Sequence, residues 1–139
     1  MLRVLVDLNV VLDVLLHREP HFRASRDLWV RIEAGHAIGY LSAHHLTTLY
    51  CLARKGRGDV FARQCIVDVM SIFRVAPIHA EVLHKAIALG WSDFEDAVAA
   101  AAAIVADCNL LVTRDVHGFT GSPIRVMEPG AASILLSSM

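Results

Sequence analysis

The sequence predicts a single α/β domain spanning residues 1–139, built on a mainly parallel central sheet of about five strands with helices on both faces. Three observations lead there. Short apolar, β-rich runs recur along the chain without polar alternation, the pattern of strands buried on both faces. Helical stretches separate them, as βαβ units require. No repeat, low-complexity tract or linker divides the 139 residues, a length that suits one domain.

The elements follow in order. Leu2–Val6 reads as the first strand and stops at Asp7. Val10–His17 is a short apolar helix closed by Glu19 and Pro20, and Phe22–Ala34 is a second helix ending at Gly35. Ala37–Leu41 is the next strand, and Ser42 opens a helix to about Arg54. Gly56 and Gly58 mark a loop, after which Asp59 is the expected N-cap of a helix over Val60–Met70. Ile72–Ala76 reads as a third strand, Ala80–Leu89 as a helix, and Ser92–Ala106 as an alanine-rich helix. Leu110–Thr113 and Ile124–Met127 are the remaining strands, with Pro129 starting a closing helix.

Composition narrows the function classes. The formal net charge of −1 offers no general attraction for nucleic acid, so such a role needs a local site. The hydrophobic content of 55% is high and suggests a heavily buried sheet, an apolar oligomer face, or both. Cys51, Cys65 and Cys108 are odd in number, without zinc spacing, and read as core residues of a cytoplasmic protein. Asp7, Asn9 and Asp13 interrupt the apolar start, which argues against a signal peptide, and Ala97–Ala106 is too short to span a membrane.

Ligands of open α/β sheets bind beyond the carboxyl ends of the strands. Asp7 directly follows the first strand, and Asp115 lies just beyond the Leu110–Thr113 strand. Between them, Ser92 and Glu95 have the spacing of a capping box, which places Asp93 and Asp96 one turn apart on the same helix face. First-turn acids complement a helix dipole, which accounts for Asp93 better than for Asp96. Two like charges ~5 Å apart repel by about 3 kcal/mol at an effective dielectric near 20. If Asp7, Asp96 and Asp115 converge, protonation could relieve this repulsion, but a hard cation does so while gaining a function, and an all-oxygen set favours Mg2+ or Mn2+ over zinc.

The motifs L-V-D-L-N-V-V-L-D, G-W-S-D-F-E-D-A-V and L-V-T-R-D-V-H-G-F, in that order, resemble the acidic motifs of the PIN domain family. The length resembles that of stand-alone VapC-type toxins. The resemblance implies a three-layer PIN-like fold and a Mg2+- or Mn2+-dependent ribonuclease. It places Asp7, Asp96 and Asp115 on the metal with Asp93 beside them, and Asn9, Ser42 and Thr113 as orienting residues. It implies an RNA substrate, while the apolar surplus would serve a homodimer face and, in a toxin, a groove for a neutralising antitoxin protein. Thr48 stands where the family usually carries a glutamate, and no carboxylate occurs between Glu33 and Asp59, which leaves one ion or two open.

Other residues carry weaker expectations. Arg114, Arg54 and Lys55 are the candidates for RNA phosphates. Asp13, on an apolar helix, borders the site or is a partly exposed helical acid. His44 and His45 are adjacent, a poor arrangement for sharing one ion, and no zinc site is expected. Two rival readings stand: a non-catalytic module binding RNA or a protein, and a phosphatase of the haloacid-dehalogenase sort. The second needs an aspartate two residues after Asp7, where this chain has Asn9.

Overall fold

The computed structural model describes all of residues 1–139. Five strands form one all-parallel sheet: β1 (Arg3–Val6), β2 (Ile38–Ser42), β3 (Arg74–Ala76), β4 (Leu110–Val112) and β5 (Arg125–Met127), in the order β3-β2-β1-β4-β5. Seven helices accompany them: α1 (Leu8–Leu15), α2 (Phe22–Glu33), α3 (Ala43–Arg57), α4 (Asp59–Ile72), α5 (Ala80–Leu89), α6 (Phe94–Val105) and α7 (Pro129–Ser137).

The alternation of side chains along each strand sorts the core into two halves. Val4, Val6, Leu41, Leu110 and Val112 join the larger cluster with residues of α1 to α4 and α7. Leu5, Tyr40 and Leu111 face the other way, onto α5 and α6. The result is three layers, helix–sheet–helix. On the second face Ala97, Ala99, Ala100, Ala101 and Ala103 are fully buried, so α6 lies close against the sheet. On the first face Gly39 permits a similar approach: a Cβ there would stand 2.7 Å from both Ile32 and Phe73 side-chain carbons.

Several local expectations are corrected. Ile72 ends α4, and only Arg74–Ala76 pair as a strand. Gly58, at φ 89°, takes the cap position of α4, and Asp59 moves inside the helix, where its carboxylate meets Arg54 Nε at 2.9 Å. Asp93, not Ser92, caps α6: its Oδ1 accepts from the Asp96 N–H at 3.1 Å, shifting the frame by one residue. Aspartate caps as well as serine, and this frame releases Glu95 from the capping box. Cys51 is exposed, while Cys65 and Cys108 are buried.

Candidate active site at the sheet switch point

Strand order reverses at β1, since β2 and β3 lie on one side and β4 and β5 on the other. The crevice beyond the carboxyl ends of β1 and β4 is therefore the expected ligand position. Val6 pairs in register with Val112, which sets Asp7 beside Thr113. The Asp7 N–H donates to the Val112 carbonyl at 2.8 Å, extending the ladder to the site itself. Thr113 is fully buried, and its hydroxyl donates to Asp7 Oδ2 at 2.9 Å. The same hydroxyl accepts from the Asp115 N–H at 3.1 Å, so one side chain ties both strand-end acids together.

Asp96 reaches this place from the first turn of α6. Asp96 Oδ2 and Asp115 Oδ2 lie 3.3 and 2.6 Å from the point where a Gly118 Cβ would stand. Both carboxylates thus face one spot that only a glycine leaves open. Burial, followed by the charges of Asp93, Asp7, Asp115 and Glu95, pushes the Asp96 carboxyl up to about 7. Asp7 is also raised: burial leads, the Thr113 and Leu8 hydrogen bonds and Arg114 oppose it, and Asp115 adds to it. Asp7, Asp96 and Asp115 are therefore brought together, with Asp93 at their edge. Their oxygen-only chemistry suits a hard divalent ion, which these three side chains could hold.

Each acid has a structural duty as well. Asp7 Oδ1 accepts from the Leu8 N–H at the start of α1, and Asp115 Oδ1 accepts from the Gly118 N–H in the 3-10 turn Val116–Phe119. Capping and convergence are not alternatives here, because the same helix and turn starts point into the crevice.

The supporting residues divide. Ser42 is buried at the end of β2, level with Asp7, but its hydroxyl bonds His44 Nδ1 at 2.6 Å. Asn9 is exposed, and its Oδ1 accepts from Arg18 at 3.1 Å. Arg54 and Lys55 occupy the last turn of α3, whose 15 residues span ~22 Å from a first turn that lies at the site. The structure does not bring them to the carboxylates. Arg114 does lie nearby, with its Nε 3.0 Å from Asp13 Oδ2, close enough for an ion pair though not aligned as a hydrogen bond.

Asp13 is not a partly exposed acid but a fully buried one. It accepts from Arg18 Nε and Ser25 Oγ, each at 3.1 Å, and so anchors α1 to α2 beneath the site. Its place inside an apolar helix was the one available signal: a charge there is either exposed or paired.

His44 and His45, in the first turn of α3, were not expected at the site and are there. His45 is 4% exposed, and its Nδ1 lies 4.0 Å from Asp7 Oδ1. Burial and the neighbouring His44 push the His45 ring down to about 3, so this is a neutral imidazole beside a carboxylate and not an ion pair. His44 is likewise lowered by burial, against the pull of Glu95 and Asp7. Adjacency in sequence concealed their common direction, which depends on Ser42 holding back one ring.

A parallel three-layer α/β domain with convergent carboxylates at its switch point defines a class of acidic-site domain, and comparison identifies which one. The PIN domain family matches residues 3–117, and the chain belongs to that family. No curated protein matches the chain in sequence. Among solved structures, DNA-bound VapBC from Salmonella typhimurium is similar at 16% identity and a TM-score of 0.71, covering 93% of this chain and 99% of that one. A toxin–antitoxin complex from Klebsiella pneumoniae is similar at 22% identity and a TM-score of 0.69, covering 91% and 97%. VapC20 from Mycobacterium tuberculosis, a toxin that cleaves the sarcin-ricin loop, is similar at 15% identity and a TM-score of 0.64, covering 78% and 86%. At these identities the likeness is one of fold. No helix of this chain is long and apolar enough to cross a membrane.

Proposed function

We propose that this chain is a Mg2+- or Mn2+-dependent endoribonuclease acting as the toxin of a toxin–antitoxin pair. The observation that carries the reading is the gathering of Asp7, Asp96 and Asp115 at the strand ends: Asp96 and Asp115 share a spot kept open by Gly118, and Thr113 ties Asp7 to Asp115. Those three side chains would hold the ion, which when bound lowers the pKa of a water and neutralises charge on the scissile phosphate. Asp93 borders them and keeps Asp96 in place through its cap. Thr113 fixes the orientation of Asp7, leaving the carboxylate one settled direction from which to bind. Arg114, held by Asp13, acts electrostatically on Asp7 and would meet a phosphate oxygen. Arg54 and Lys55, remote from the acids, would contact only a more distant part of a long RNA.

The toxin role is supported by the fold shared with the Salmonella and Klebsiella complexes, which contain an antitoxin. A partner segment or a second copy would cover exposed apolar side chains such as Val60, Val67 and Met70 of α4, which the hydrophobic surplus of the sequence leaves outside the core.

Cleavage of single-stranded RNA, assayed with Mg2+, with Mn2+ and with chelator, tests the reading. Asp96→Asn should reduce the metal-dependent rate at least about 100-fold, the upper range for loss of even an outer partner of a metal site. Cleavage that survives this change, or that never occurs with either ion, rejects the enzyme. A second reading, a PIN module that binds RNA or protein without cutting, is favoured by one observation. Thr48 supplies no charge, and its hydroxyl is turned to the His44 carbonyl at 3.4 Å. RNA retention without cleavage in the same assay would establish it. The phosphatase reading lacks its second aspartate, because Asn9 stands there, and RNA cleavage without turnover of small phosphate esters would exclude it.

A further inference from the structure

One ring nitrogen from each of His44 and His45 and one carboxylate oxygen of Glu95 lie within 4.8 Å of one another. Ligand atoms around an ion with ~2.1 Å bonds stand roughly 3.4 Å apart, so a small side-chain adjustment would close the set. We propose that His44, His45 and Glu95 form a second cation site beside the aspartate cluster, one selective for a nitrogen-preferring transition ion such as Zn2+ or Co2+ over Mg2+.

Independent observations point the same way. His45 is 4% exposed, and its Nδ1 is buried with no hydrogen-bond partner. His44 Nε2 is buried without an aligned hydrogen bond, with the Glu95 backbone also acting on the ring. Buried imidazole nitrogens are normally satisfied, and the unpartnered His45 nitrogen beside that of His44 calls for a ligand. Neither faces an apolar wall alone: the acidic side chains of Asp7 and Glu95 lie beside them.

The local chain geometry explains how adjacent residues share a target. Successive side chains on a helix diverge by about 100°. In the first turn of α3, however, Ser42 Oγ engages His44 Nδ1 at 2.6 Å, and the two rings lie side by side, centroids 4.1 Å apart and tilted by 35°. With the Nδ1 proton given to Ser42, the lone pair of His44 remains on Nε2, the arrangement by which an outer hydrogen bond aims a metal-ligating histidine. Glu95 arrives from α6, released by the capping of that helix through Asp93. Asp7 Oδ1, 4.0 Å from His45 Nδ1, offers a further oxygen and adjoins the two sites. Two imidazoles with carboxylate oxygens match the preference of zinc, cobalt and nickel, whereas Mg2+ keeps to oxygen and water.

The proposal goes beyond the ribonuclease reading and does not rest on it, because binding can be measured without RNA. The whole protein is titrated with Co2+ alone, followed by visible d–d absorption and calorimetry, then challenged with a large excess of Mg2+. One Co2+ should bind with a nitrogen-type visible band that Mg2+ does not displace. His44→Gln and Glu95→Gln, both at positions outside the fully buried core, should each weaken binding at least about tenfold with folding retained by circular dichroism. Asp115→Asn should keep the band. Absence of the band, binding unchanged in both the His44 and Glu95 variants, or a band lost in Asp115→Asn would overturn the proposal.

Discussion

Two residues without charge govern the charged ones. Gly118 stands where any side chain would meet the Asp115 and Asp96 carboxylates, and the atoms in the way are carboxylate ends, not backbone. Gly118→Ala should therefore leave stability within about 0.5 kcal/mol, as for a surface change. It should nonetheless cut Mg2+ or Mn2+ affinity at least about tenfold, read by calorimetry beside a thermal melt. Unchanged ion affinity would mean that the carboxylates do not meet at that spot. Thr113 acts in the opposite sense, as a fully buried hydroxyl used twice, as donor to Asp7 and acceptor from Asp115. Thr113→Val keeps the shape and removes both bonds, so urea denaturation should show a loss of about 1–3 kcal/mol. It should also raise the Asp7 carboxyl further, since the threonine hydrogen bond holds it down.

At the scale of elements, the site is where two helix starts converge on two strand ends. Helix α6 delivers Asp96 and Glu95 because its alanine stripe lets it approach the sheet. Ala100→Leu forces extra methylenes into a layer with no space, which should cost about 1–3 kcal/mol in chemical denaturation. The same substitution lifts the N-terminus of α6 from the crevice, so ion binding should weaken more than stability predicts. A conservative Ala100→Gly control, which pushes nothing outward, should lower stability by about 1 kcal/mol and leave ion affinity nearly unchanged. Helix α3 plays the matching part on the other side of β1, and its first turn rather than its basic last turn serves the site.

For the whole molecule, the clustered acids make stability depend on pH in a direction that can be worked out. The Asp96 carboxyl is raised from 3.8 to about 7 on folding, so the folded state holds its proton more tightly than the unfolded chain. Its contribution is full below about pH 4 and is lost as pH rises through 7. The His45 ring, lowered to about 3, acts the other way: its contribution is full above about 6.5 and is lost as pH falls. The difference between wild type and Asp96→Asn isolates the carboxyl. In chelator, wild type should lose stability relative to the variant between pH 5 and pH 8, measured by denaturation midpoints. Added Mg2+ should restore wild type more at pH 8 than at pH 5, because binding to the folded state stabilises it and needs the deprotonated acid. A wild type and variant with parallel profiles would contradict this.

Much of this was legible in the chain. Apolar runs without alternation announced a sheet buried on both faces, and the position of Asp7 and Asp115 at strand ends announced a crevice. Those signals are local in sequence, since side-chain period and strand termination need no knowledge of neighbours. Asp96 was legible because its place in a first turn was poorly explained by packing or capping alone. What remained hidden depended on contacts across the fold. Asp13 became a buried anchor only when Arg18, Ser25 and Arg114 closed on it, and the distance of Arg54 and Lys55 from the carboxylates appeared only with the length of α3. His44 and His45 looked divergent by helical spacing, and only Ser42 and the approach of α6 turned both toward Glu95. The sequence by itself determined which elements form and where the strand-end acids lie, because these follow from periodicity and chain direction. Tertiary structure alone decided which charges are paired, buried or left facing a shared space, because electrostatic free energy depends on distances between residues far apart in the chain.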